Sequence, residues 1–158
     1  MDKIFGIPAH PLFVHAPLVL APLLALWGIG MLVRPTWRRN AWWLFGATLV
    51  VFIATVLATQ SGEELNNRLR EGIGDITDKH ADLGEATRLI LFIQTLLTLA
   101  FAIVGSRVSK AATVASSGLR RAVTVLIAAT AVFGVLSTIW MIRTGHEGSR
   151  IVWQIPEK

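Results

Sequence analysis

Four long stretches of this sequence contain no Asp, Glu, Lys or Arg, and they limit the chain to very few folds. The uncharged stretches are residues 12–33, 40–62, 89–106 and 122–142. A helix that crosses the hydrocarbon core of a bilayer needs about 20 mostly apolar residues, and each stretch is close to that length. The sequence therefore predicts an all-α membrane protein, a bundle of four transmembrane helices.

The composition agrees with a lipid environment. Only 16% of the 158 residues are charged, whereas about a quarter of the residues of a soluble domain are charged. The length is typical of one domain, so residues 1–158 are interpreted as a single integral-membrane domain. The net charge of +5 is attributed to contact with anionic lipid and not with nucleic acid. The predicted helices cover approximately residues 11–33, 41–61, 79–106 and 120–144.

Basic residues predict how the helices are oriented. The connections after the first and third helices hold seven basic residues and no acidic ones, namely Arg34, Arg38, Arg39, Arg107, Lys110, Arg120 and Arg121. All ten Asp and Glu residues lie on the opposite side, with the other eight basic residues. Short, densely basic connections are typical of the cytoplasmic face. We therefore expect a bacterial inner-membrane protein with both termini and the central loop on the periplasmic side.

The loop between the second and third helices is predicted to contain a short amphipathic helix. Ser61 and Glu64 have the spacing of a capping box, in which each side chain satisfies a free amide at a helix start. Leu65 and Leu69 would then share one face, and their neighbours are mostly polar. Such a segment favours a helix that lies on the outer membrane surface.

The histidines all fall on the predicted outer side. His10 and His15 lie at the start of the first helix, His80 at the start of the third, and His146 just past the fourth. The chain contains no cysteine, which excludes disulfides, thiolate metal sites and thioether-attached haem. Imidazole is a common ligand of metals and of haem iron. The four histidines are therefore the candidate metal or cofactor ligands.

Small and hydroxyl-bearing residues form a stripe on three of the predicted helices. Such stripes are typical of the faces on which transmembrane helices pack together, and His80 lies on one of them. The stripes consist of Thr48, Thr55 and Thr59; of His80, Gly84, Thr87, Leu91, Gln94, Thr95 and Thr98; and of Thr130, Gly134, Ser137, Met141 and Thr144.

Residues 7–17, IPAHPLFVHAP, resemble the opening segment of a bacterial membrane family known as domain of unknown function 2231. Its members are similar in having four helices, an HPLxVHxP segment, a histidine before the third helix and a Gly-His or Gly-rich element after the fourth. Here these correspond to His10 through Pro17, to His80, and to residues 145–148. Some relatives are joined to Rieske-type or cytochrome c-type domains, so the resemblance implies redox work at the outer face.

The leading functional hypothesis is a small electron-transfer protein that binds a b-type haem through outer-face histidines. One axial ligand would come from the first helix and the other from the third helix or the end of the fourth. Arg88, Arg143 and Arg150 are candidate partners of the haem propionates. A quinol or a periplasmic redox protein is the expected partner, and a divalent metal ion bound by the four histidines is the alternative cofactor.

Two other functions stay open. In one, the chain acts without a cofactor as an accessory or assembly subunit of a larger membrane complex; a second copy of the chain is a further candidate partner. Alternatively, it handles metal ions at the outer face, using histidine together with Glu147 or Asp78. The sequence contains no GxSxG, HExxH, Walker or GxGxxG motif, which favours electron transfer or an accessory role over a stand-alone enzyme.

Overall fold

A computed structural model of the chain describes residues 3–4, 7–73, 77–110 and 116–154. A two-residue antiparallel pair of strands, β1 (Lys3–Ile4) and β2 (Ile7–Pro8), precedes the helices. Apart from Arg34 and Ser116, the rest of the described chain is helical. It consists of α1 (Ala9–Val33), a 3₁₀ segment (Pro35–Asn40), α2 (Ala41–Ile73), α3 (Asp78–Lys110) and α4 (Ser117–Gln154). All four α-helices are long and apolar enough to cross a membrane, which confirms the predicted four-helix membrane architecture.

The four helices pack in a ring, with α1 against α2 and α4, and α3 against α2 and α4. Helices that follow one another in the chain run antiparallel because the connections between them are short. The 3₁₀ segment makes the turn from α1 to α2, and Arg38 closes the end of α1. Its Nε donates a hydrogen bond to the Met31 carbonyl at 3.0 Å, which satisfies one of the carbonyls left free at a helix C-terminus.

Small residues allow α1 and α4 to approach closely. A β-carbon added to Gly134 would lie 3.0 Å from the Cα of Ala25, and one added to Gly28 would lie 3.6 Å from the Cα of Ala131. Since lipid tails are as apolar as leucine, helices in a bilayer gain most from close packing of this kind. The α1–α4 seam is thus fixed by glycine and alanine.

The predicted polar stripes face the interior of the bundle. Most of their members are buried, namely Thr48, Thr55, Thr87, Leu91, Gln94, Thr95, Thr98, Thr130, Gly134, Ser137 and Met141. Many of the threonines donate their hydroxyl to a carbonyl three or four residues earlier, as Thr48 does to Leu44 at 2.6 Å. Between helices, the Ser137 hydroxyl donates to Gln94 Oε1 at 2.9 Å. Many large apolar side chains are exposed on the outside of the bundle, among them Leu26, Val50 and Ile142, which suits a surface that faces lipid.

The region after Ser61 differs from its prediction. It continues α2 to Ile73 and does not form a separate amphipathic helix. Ser61 is buried, and its hydroxyl donates to the carbonyls of Leu57 and Ala58 at 2.8 and 3.0 Å. The hydroxyl is therefore a donor inside a continuing helix, and the capping-box interpretation of Ser61 is wrong. The side chains of residues 68–73 lie outside the described part of the structure, and with them the predicted face of Leu69.

The fourth helix also continues past its predicted end at residue 144, as far as Gln154. An ion pair of spacing i,i+3 joins Glu147 and Arg150 on this extension, with 3.3 Å between Arg150 Nη1 and Glu147 Oε2. Charged residues end a membrane span, but they do not end a helix that continues into water. His146 consequently lies within α4 and not beyond it.

Candidate functional site

The site is built around His10, which lies in the first turn of α1 and is half-buried. Its Nδ1 is 2.7 Å from the carbonyl oxygen of Ala58 on α2. A carbonyl oxygen can only accept a hydrogen bond, so Nδ1 carries the proton and donates it. In the neutral ring the Nε2 atom therefore keeps its lone pair and is available as a ligand.

His80 makes the same kind of contact from α3. Its ring is half-buried, and Nδ1 lies 2.9 Å from the carbonyl oxygen of Thr144 on α4. The same argument places the proton on Nδ1 and the lone pair of the neutral ring on Nε2. Thr144 is itself held in place, because its hydroxyl lies 3.1 Å from that of Thr87 and donates to the Trp140 carbonyl at 2.8 Å.

The two imidazole rings lie close to each other at one end of the bundle. Their centroids are 5.9 Å apart, and the ring planes are nearly perpendicular at 85°. Histidines that bind metals typically donate their second ring nitrogen to a carbonyl or carboxylate, which fixes the orientation of the ring. Both rings of the His10–His80 pair are oriented in that way, each by a helix other than its own.

Two glycines leave room for these rings. A β-carbon on Gly62 of α2 would lie 2.9 Å from His10 Nδ1, and one on Gly148 of α4 would lie 2.9 Å from His80 Cε1. Real β-carbons essentially never make such short contacts. Each imidazole thus lies directly on the backbone of the helix that also supplies its hydrogen-bond acceptor, and the pair involves all four helices.

An ion-pair cluster adjoins His80. Lys79 Nζ lies 2.6 Å from Glu147 Oε1, and Arg150 contacts the same carboxylate at 3.3 Å. Lys79 is 65% exposed, whereas the Glu147 side chain is only 17% exposed. The carboxylate of Glu147 is thus held by two cations. It joins α3 to α4 next to Gly148.

The other predicted ligands occupy different positions. His15 is exposed, and its Nδ1 contacts the Pro11 carbonyl of its own helix. His146 is also exposed. Among the predicted propionate partners, Arg88 is bound to Glu85 at 2.7 Å and Arg143 lies over the Trp140 ring at 5.0 Å. The structure thus joins two of the four histidines.

A site for a metal ion held by protein ligands alone needs three or four donors. No cluster of three His, Asp or Glu side chains with that geometry is present among the residues described. The His10–His80 pair supplies two donors, and Glu147 is held by Lys79 and Arg150. The described part of the chain therefore presents a pair of imidazoles and no complete metal-ion cage.

Some residues of the site were not predicted as such. Gly62 and Gly148 support the rings, Lys79 binds Glu147, and the carbonyls of Ala58 and Thr144 orient the imidazoles. Two signals were present: both glycines lie near the predicted outer boundary of a helix, and Gly148 belongs to the element at residues 145–148 that carries part of the family resemblance. A main-chain acceptor carries no such signal, since every residue has a carbonyl.

Comparisons with known proteins identify the same family that the segment at residues 7–17 resembles. No curated protein and no solved structure matches the chain. One family model, described as a predicted membrane protein, matches residues 6–156 and so includes both histidines of the pair and both glycines. The chain therefore belongs to the DUF2231 family of predicted membrane proteins.

Proposed function

We propose that the protein is an integral-membrane electron-transfer protein that binds a b-type haem through His10 and His80. The observation that carries this proposal is the shared orientation of the two rings. Each donates Nδ1–H to a carbonyl of another helix, which leaves the lone pair of the neutral ring on Nε2. Two imidazoles that bind one metal through nitrogen at about 2.0–2.1 Å have ring centres about 5 to 6.4 Å apart, the larger value when they bind on opposite sides of the metal. The observed separation of 5.9 Å is compatible with a shared metal.

The number of ligands favours haem over a bare metal ion. A porphyrin supplies four nitrogens itself, so the protein needs to add only one or two axial ligands. A metal ion without a porphyrin needs three or four protein donors, and the described residues offer two in one place. If His10 and His80 both bound the iron, no position on it would be open to a substrate, which favours electron transfer over catalysis at the iron.

When bound, the haem would supply a one-electron redox centre. The roles of the chain are to hold the two imidazoles through Ala58 and Thr144 and to place them at one end of the bundle. We infer from the charge distribution that this end faces the periplasm of a bacterial inner membrane. A quinol in the bilayer or a periplasmic redox protein is the expected electron partner.

The test is an optical spectrum of protein purified after expression with added haem, first oxidised and then reduced with dithionite. We expect a Soret band at one haem per chain in the natural protein. His10→Ala and His80→Ala should each lose it or convert it to a five-coordinate spectrum. His15→Ala and His146→Ala are the matched controls, because both residues are exposed, and they should keep the natural spectrum.

Two results would overturn the proposal. One is natural protein that is folded and contains no Soret band and no stoichiometric metal by mass spectrometry, as expected for a cofactor-free accessory subunit. The other is a haem spectrum that survives in His10→Ala and His80→Ala but is lost in His15→Ala or His146→Ala. A stoichiometric metal ion without a Soret band would mean that the site binds a metal ion and not haem.

A further inference from the structure

A groove of about 500 Å³ opens between α2 and α3. Its volume lies within the range of small-molecule sites. The residues that line it are Phe52, Val56, Glu85, Ala86, Arg88, Leu89 and Phe92. Five of these seven residues are apolar. The two charged ones, Glu85 and Arg88, are three positions apart on α3 and so lie on the same face of that helix. The groove is thus amphiphilic.

The charged pair lies at the level where the apolar part of α3 begins. Arg88 is the last charged residue before the uncharged stretch 89–106, so it marks the boundary between hydrocarbon and headgroups. Arg88 Nη2 lies 2.7 Å from Glu85 Oε2, and the two side chains are 36% and 51% exposed. Both can be reached from outside the protein, and together they carry no net charge.

The deeper part of the groove is apolar and aromatic. The rings of Phe52 and Phe92 lie side by side with centroids 5.6 Å apart and planes inclined at 43°. Phe92 and Leu89 are exposed at 44% and 59% in the described structure. Phe92 lies about one turn farther into the membrane span than Arg88, where it can contact a hydrocarbon chain.

We propose that this groove binds a zwitterionic phospholipid whose headgroup carries a phosphate and a primary ammonium. The phosphate accepts hydrogen bonds from Arg88, whose guanidinium suits phosphate oxygens. The ammonium donates to Glu85, and an acyl chain lies over Phe92 and Phe52. The site selects this headgroup because the carboxylate of Glu85 repels an anionic lipid. A trimethylated ammonium has no N–H group to donate to Glu85.

The test measures which lipid the purified full-length protein retains. Delipidated protein in detergent is mixed with phosphatidylethanolamine, phosphatidylglycerol or phosphatidylcholine with identical acyl chains, and bound lipid is counted by native mass spectrometry. We expect one phosphatidylethanolamine per chain, retained about tenfold better than the other two lipids. That ratio is the order expected for one hydrogen bond between charged groups.

Three variants assign the contacts. Arg88→Gln removes the phosphate donor and should lower retention of phosphatidylethanolamine about tenfold. Glu85→Gln leaves Arg88 without its anionic neighbour, so the preference should shift to phosphatidylglycerol. Arg107→Gln is the matched control, because Arg107 is an exposed arginine near the other end of α3. It should retain the same lipids as the natural protein.

Several outcomes would overturn the proposal. Equal retention of the three lipids by the natural protein would show that the groove does not select a headgroup. Unchanged retention in Arg88→Gln, or the same loss in Arg107→Gln, would show that the lipid binds elsewhere. A prenyl quinone that copurifies at one per chain and is lost in Arg88→Gln would replace the phospholipid as occupant. None of these outcomes depends on haem binding, which is read from the optical spectrum.

Discussion

Gly148 lies directly against the imidazole of His80, so that a β-carbon at position 148 would be 2.9 Å from Cε1 and 3.2 Å from Nδ1. The ring cannot simply turn away, because its Nδ1–H is donated to the Thr144 carbonyl. Gly148→Ala therefore forces either the ring or the α3–α4 contact to move. Overpacking of this kind costs about 1–3 kcal/mol, partly offset by about 1 kcal/mol from the better helix propensity of alanine.

We expect Gly148→Ala to lower the free energy of unfolding in detergent by up to about 2 kcal/mol and to weaken haem binding by the purified protein. Gly145→Ala is the matched control, because its β-carbon would meet Leu18 Cδ1 at an ordinary 3.7 Å. That variant should be as stable as the natural protein, or more stable by up to about 1 kcal/mol. Equal stability and equal haem content in the two variants would contradict the role assigned to Gly148.

The sequence predicts the four spans well because bilayer thickness fixes how many uncharged residues a spanning helix needs. It predicts helix ends poorly for the same reason. Uncharged stretches end where water begins, whereas the backbone continues helically to Ile73 in α2 and to Gln154 in α4. The capping box at Ser61 was misinterpreted because Ser61 and Glu64 have the same spacing inside a helix as at its start.

The pairing of His10 with His80 was among the combinations that the sequence allowed, because both were predicted to lie at one end of the bundle. The sequence did not distinguish them from His15 and His146. That choice depends on the rotation of each helix about its axis, which is set by close packing such as that of Gly134 on Ala25. Helical periodicity in one sequence identifies a face of a helix, but not which residue of the neighbouring helix it meets.

Gly134 is expected to be the glycine least tolerant of a larger side chain in the α1–α4 seam. A β-carbon there would lie 3.0 Å from Ala25 Cα and 3.4 Å from Gln94 Nε2. Because backbone atoms cannot give way as a side chain can, Gly134→Val should lower the free energy of unfolding by about 3 kcal/mol. Thermal unfolding of the purified protein, monitored by circular dichroism, provides the measurement.

Gly46 gives the comparison for Gly134, since a β-carbon there would meet nothing within 4 Å. Gly46→Ala should raise the free energy of unfolding by up to about 1 kcal/mol. If Gly134→Val unfolds at the same temperature as the natural protein, the close α1–α4 approach is not present in solution.

The buried hydrogen bond from Ser137 to Gln94 is predicted to be a modest stabiliser. Ser137→Ala leaves Gln94 Oε1 without its donor inside the bundle, and the expected loss is about 0.6–2 kcal/mol. Replacing both partners with apolar residues, Ser137→Ala with Gln94→Leu, should cost less than the sum of the single changes, because no buried polar atom is then left unpaired. A double-mutant cycle on unfolding free energies measures this coupling, and additive losses would contradict a direct bond.

The predicted orientation can be tested cleanly because the chain has no cysteine of its own. Thr36 and Ser149 are exposed, in the 3₁₀ turn between α1 and α2 and near the end of α4 respectively. If densely basic connections stay in the cytoplasm, Ser149→Cys reacts with a membrane-impermeant maleimide added to spheroplasts. Thr36→Cys should then react only after the membrane is permeabilised. The opposite pattern would place the His10–His80 pair at the cytoplasmic face, where a periplasmic electron partner could not reach it.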